Sequence, residues 1–154
     1  MVLPLLYLLL GAYGFGTLVA LLGKNNERSG RLTALGAIVG AGAGSALGAI
    51  VILSGAPFTL AVPALLPTAG GLALRLDPLG AFFLILIGLS AIPATIYGLG
   101  YAAINANGRV SLRLLGVMFN LFLLTMSLVP LADNVFTFLL MWEGMSLSSY
   151  FLVT

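Results

Sequence analysis

The 154-residue chain is 61% hydrophobic, has a mean hydropathy of +1.20 and carries only six Lys/Arg and four Asp/Glu. Soluble domains run about 25% charged, so a water-soluble globule is excluded and a membrane protein is indicated. With no cysteine and no histidine, the chain lacks thiolate ligands for an iron–sulfur cluster, imidazole ligands for haem or zinc, and a Cys/His nucleophilic pair. No catalytic, cofactor-binding or metal-binding residues are expected, and a scattered net charge of +2 offers no surface for nucleic acid.

The first apolar run, residues 2–23, starts without Lys or Arg and is longer than the apolar core of a signal peptide. It predicts a retained transmembrane helix, with a cleaved signal as the alternative. Residues 24–31, from Lys24 to Arg31, form a short polar loop. Residues 32–54 predict the second span, ended by Gly55 and Pro57. Along it Gly36, Gly40, Gly44 and Gly48 recur every fourth residue, so one helix face lacks side-chain bulk and admits a close neighbour. Static helix packing is the favoured reading, over a dimerisation seam or a hinge. Four prolines follow between Gly55 and Gly80, and two alternating stretches flank Pro67-Thr68-Ala69-Gly70-Gly71. That pattern predicts a small external β-hairpin over about 58–77, with Arg75 and Asp77 on one strand and able to pair. Residues 79–102 predict the third span, opened by Pro78 and kinked at Pro93, and Asn105 to Gly108 break the pattern. The fourth span, 111–129, is closed by Pro130; the fifth, 134–154, starts at Asp133-Asn134, whose side chains suit an N-cap.

The expected fold is therefore an all-α polytopic membrane protein with five transmembrane helices in a single domain, residues 1–154. Lys24, Arg28, Arg31, Arg109 and Arg113 lie in the loops 24–31 and 103–113, whereas the opposite loops hold only Arg75. The positive-inside bias then makes those two loops cytoplasmic and the N-terminus external. No polar tail follows the fifth span, so the chain reads as the N-terminal part of a longer protein.

Glu143 differs in kind from the other charged residues. Counted from Asp133 at about 1.5 Å per residue it lies roughly 15 Å deep, near the middle of a hydrocarbon core about 30 Å thick. A charge there costs at least about 2.5 to 3.5 kcal/mol, so the side chain is expected to face the bundle interior with partners. Tyr150 falls on nearly the same helical face and Ser146 about 60° to one side, a stripe able to hold water and pass protons. Asn120, at similar depth on the fourth helix, is the best local partner, and Trp142 is expected to pack in the bundle beside Glu143.

Residues 131–153, with Asp133-Asn134, Trp142-Glu143, Ser146 and Ser149-Tyr150, resemble the fifth-helix signature of the antiporter-like proton-conducting subunits. These occur in respiratory complex I, Mrp-type cation/proton antiporters and membrane-bound hydrogenases. The stretch Arg75-Leu76-Asp77-Pro78-Leu79-Gly80-Ala81-Phe82-Phe83 is similar to that family's approach to helix three. The wording around Phe82, Asp133 and Ser146 looks most like the hydrogenase-4 component B (formate hydrogenlyase subunit 3) branch. The resemblance implies that Glu143 is the family's fifth-helix glutamate, which works with a lysine on a later, broken helix and a further lysine or glutamate on another; the only lysine here is Lys24. It also implies a bacterial or archaeal cell-membrane subunit without a redox centre. Such a subunit moves protons, with sodium the alternative ion, beside the other membrane and peripheral subunits of an oxidoreductase complex. A stand-alone Mrp-type antiporter subunit is the second reading. A small structural or assembly protein, docking through the glycine face of the second helix, is the third.

Overall fold

A computed structural model describes residues 1–23, 27–62, 71–104 and 112–153. Among them are the helices α1 (Val2–Leu22), α2 (Glu27–Ser54), α3 (Pro78–Ile104), α4 (Leu112–Leu128) and α5 (Val135–Val153), with strands β1 (Phe58–Val62) and β2 (Leu72–Leu76) between α2 and α3. Among the described residues five helices are long and apolar enough to cross a bilayer, and the protein is an integral membrane protein. Lys24, Arg109, the break at Asn105 to Gly108 and the hairpin turn from Pro67 to Gly70 lie outside the described residues.

Several boundaries depart from expectation. α2 begins at Glu27 rather than residue 32, so Arg28 to Arg31 belong to a helix and not to a loop. The reason lies in the end of α1, whose last carbonyls need donors. Gly23 N–H donates to Val19 O (2.8 Å) and Ser29 Oγ donates to the same oxygen (3.2 Å), so the first turn of α2 closes the last turn of α1. α4 stops at Leu128, and Pro130 sits inside a single 3-10 turn, Val129–Leu131, rather than just beyond the helix.

β1 and β2 pair antiparallel in the register Phe58↔Leu76 to Val62↔Leu72. Leu74 and Leu76 turn into the core while Arg75 faces out, the alternation a strand produces over a buried surface. Asp77 is not on the strand. Pro78 supplies the fixed φ of a first helical residue, which makes Asp77 the N-cap of α3. Its Oδ1 accepts the Gly80 N–H at 2.7 Å, so the carboxylate caps a helix instead of pairing with Arg75.

α2 is the central helix, with its broadest contacts to α3 and α1 and a narrower one to α4, while α5 lies on α4. Small residues make this possible, because helices in lipid associate by close van der Waals contact rather than by hydrophobic exclusion. A Cβ on Gly36 would stand 2.7 Å from Ala12 O and 2.8 Å from Gly16 Cα; on Gly40, 2.8 Å from the Tyr13 ring; on Gly44, 3.1 Å from Leu9 Cδ1. On Gly48 it would abut Ala81 O in α3. The glycine face is thus covered by α1 and α3 of the same chain. That corrects the reading in which the face docks a separate partner.

Candidate functional site

The candidate site lies on α5, and the placement of α5 starts with Asn134. Its Oδ1 accepts the Thr137 N–H (2.7 Å), an N-cap bond, while its Nδ2 donates to Gly71 O (3.0 Å). Asp133 contributes backbone instead, its N–H donating to Ala73 O (2.9 Å). Ala73 N–H in turn donates to Thr137 Oγ1 (3.1 Å), and Leu74 bridges Ala132. The start of α5 is therefore bonded to the strand that leads into α3, across more than sixty residues of chain. Asn134→Ala removes both the cap and the cross-link. A cap alone is worth about 1 kcal/mol, so the variant is expected to lower the thermal midpoint in detergent by at least that equivalent. An unchanged midpoint would remove the anchoring role.

The side of α5 that meets α4 is made of small and hydroxyl residues. Thr137 and Ser148 are buried, and a Cβ on Gly144 would stand 2.8 Å from Thr125 Cγ2. Ser148 Oγ donates to Gly144 O (2.7 Å) and Met145 O (3.0 Å), and Thr125 Oγ1 to Leu121 O (2.8 Å) and Phe122 O (3.1 Å). The Ser148 and Thr125 hydroxyls are each satisfied inside their own helix, so their contact buries no unpaired donor. Burying that stripe turns the other side of α5 outward. Glu143, Ser146 and Tyr150 are all exposed, on the face away from α4.

The three residues expected to share a stripe do share one, but it faces away from α1 to α4 rather than into them. Asn120 is not brought to it. It is fully buried on α4, its Nδ2 donating to Gly116 O (3.1 Å) and across to Thr33 O in α2 (3.4 Å), while its Oδ1 lies against Gly16 of α1. There it acts as a clamp between three helices. Trp142 is 46% exposed and packs on Phe138, with ring centroids 5.6 Å apart, rather than inside the bundle. Both differences have one cause: glycine and hydroxyl residues give α5 its closest approach to α4, and that selects the Gly144 side.

Sequence reasoning missed Tyr13 and Thr137. Tyr13 is fully buried in α1 against Gly40, its hydroxyl towards Ser127 of α4 without hydrogen-bond geometry. Its mid-span position, away from the interfacial belts where tyrosine collects, was the available signal. Thr137 had none, since its partner Ala73 is distant in sequence. Among the described residues no group of three or more Asp or Glu side chains that could hold a metal ion comes together.

No family model matches the chain. It is 43% identical over 89 residues to an uncharacterized protein of Mycobacterium tuberculosis, a match covering 58% of this chain and 13% of that protein. It is 37% identical over 82 residues to hydrogenase-4 component B of Escherichia coli (53% of this chain, 12% of that protein). To NADH-quinone oxidoreductase subunit L of Mycobacterium tuberculosis it is 38% identical over 89 residues (55% and 13%). The chain thus spans about an eighth of the length of the curated relatives it matches.

Proposed function

We propose that this chain is the N-terminal part of a proton-translocating, antiporter-like membrane subunit of a respiratory or hydrogenase oxidoreductase complex, with Glu143 as its intramembrane protonatable site. The observation that carries the proposal is the outward stripe of α5. A carboxyl group near the middle of a 19-residue span stands beside Ser146 and Tyr150 on a face that α1 to α4 do not cover. Left in lipid, that face carries a penalty of about 2.5 to 3.5 kcal/mol or more for the charged side chain. A stable protein meets it with further helices or water, and both are what a proton path requires. The similarity to hydrogenase-4 component B and to a subunit of NADH-quinone oxidoreductase supports the same reading.

In this reading the subunit works in a cell membrane with its N-terminus external and the ends of α2 and α4 that carry Arg28, Arg31 and Arg113 cytoplasmic. It carries protons, with sodium the alternative, and the partner subunits hold the electron-transfer centres. Ser146 and Tyr150 hold water next to the carboxyl group, and the remaining charge partners come from outside this chain.

Two measurements test the proposal. The native gene product recovered from its membrane should have an intact mass several-fold above 15.9 kDa; a mass near that value would leave a five-helix partner protein. Deleting the gene should abolish redox-driven proton uptake by inverted membrane vesicles while electron transfer to an artificial soluble acceptor persists. Sodium/proton exchange in vesicles lacking any redox partner would instead favour the Mrp-type antiporter.

A further inference from the structure

At the end of the bundle that carries Arg28, Arg31 and Arg113, α3 and α4 touch each other little, and a crevice of about 120 Å³ opens between them over α2. Its walls are mostly apolar, and Asn120 Oδ1 is buried there without a hydrogen-bond partner. Thr95 Oγ1 donates to Ala91 O (2.6 Å), and Asn120 Nδ2 bonds to Thr33 O and Gly116 O while its Oδ1 lies against Gly16. Walls that are mostly apolar favour an apolar guest. Among the described residues, the one charged side chain in the lining is Arg113, exposed in the first turn of α4. Its guanidinium favours an anion with clustered oxygens.

An apolar slot with a cationic mouth at a membrane surface matches a molecule with an acyl chain and a phosphodiester. We propose that this crevice is a binding site for one anionic phospholipid, a segment of its acyl chain lying between Gly98 and Phe119 and its phosphate on Arg113. Arg28 is exposed at the same end but is not part of the lining, so it serves as the control for diffuse surface charge. Gly98 serves to fill the slot, since a Cβ there would meet nothing within 4 Å.

The test is native mass spectrometry of the purified full-length protein titrated with dioleoylphosphatidylglycerol or dioleoylphosphatidylcholine. The wild type is expected to bind one phosphatidylglycerol about fivefold more tightly than phosphatidylcholine, the contribution of a single arginine at an anionic surface. Arg113→Gln should abolish that preference, Arg28→Gln should keep it, and Gly98→Leu should weaken binding of both lipids. A preference that survives Arg113→Gln, or disappears equally in Arg28→Gln, would overturn the site. So would Gly98→Leu binding both lipids like the wild type, or glycerophosphoglycerol without acyl chains binding as well as the intact lipid.

Discussion

Glu143→Gln is expected to lower redox-driven proton translocation by the assembled complex by about two orders of magnitude, the low end of what a positioned proton-transferring group contributes. The substitution keeps volume and hydrogen-bonding capacity and removes only the ability to gain and lose a proton. Assembly and electron transfer to an artificial acceptor should therefore persist, because Glu143 lies on the face of α5 away from α4 and contributes nothing to that contact. Glu143→Asp, which restores the proton site on a shorter side chain, should recover part of the flux. Tyr150→Phe and Ser146→Ala should each have smaller effects, since water can substitute for a hydroxyl in a relay. The readout is acidification of inverted vesicles normalised to the amount of assembled subunit. Unchanged translocation in Glu143→Gln would remove Glu143 from the proton path.

Gly36→Leu should have the largest structural effect. The new Cβ would sit 2.7 Å from a backbone carbonyl of α1 and 2.8 Å from a backbone Cα, and backbone cannot rotate away as a side chain can. Overpacking a core costs typically about 1 to 3 kcal/mol where side chains give way; here α1 and α2 must separate, so a loss of about 3 kcal/mol or more is expected. The same change at Gly42, six residues further along the same helix, meets nothing within 4 Å and should leave stability nearly unchanged, even though helix propensity rises at both sites. Thermal unfolding in detergent, followed by size-exclusion chromatography, compares the two directly. Equal stability of the two variants would contradict the packing of α1 on α2.

The two experiments bear on different faces of the bundle. Gly36 concerns the α1–α2 seam, where glycine brings backbones together; Glu143 concerns the side of α5 that α4 leaves open. The start of α5 links that helix to the rest of the protein, because Asn134 ties it to Gly71 and Thr137 to β2, and β2 leads directly into the Asp77 cap of α3. The position of Glu143 along the bilayer normal therefore depends on the hairpin as well as on packing against α4.

Much of this architecture was legible in the residues alone, for reasons that are local. A span needs only about 20 apolar residues, so the five helices followed from runs of uncharged sequence, and the hairpin from prolines and glycines between two alternating stretches. The glycine spacing in α2 announced a close approach. The carboxyl group in α5 was conspicuous because a charge in hydrocarbon is costly. None of these depends on knowing which helix neighbours which. What only the tertiary structure decided is which way each face points. The hydrophobic effect, which orients amphipathic helices in water, does not distinguish lipid from a helix neighbour, so a uniformly apolar span holds little information about its inward side. Contact geometry made the choice instead: Gly144 and Ser148 let α5 approach Thr125 of α4 and turned Glu143 outward, Gly16 admitted Asn120 to a junction of three helices, and the carbonyl of Val19 drew Ser29 into the first turn of α2.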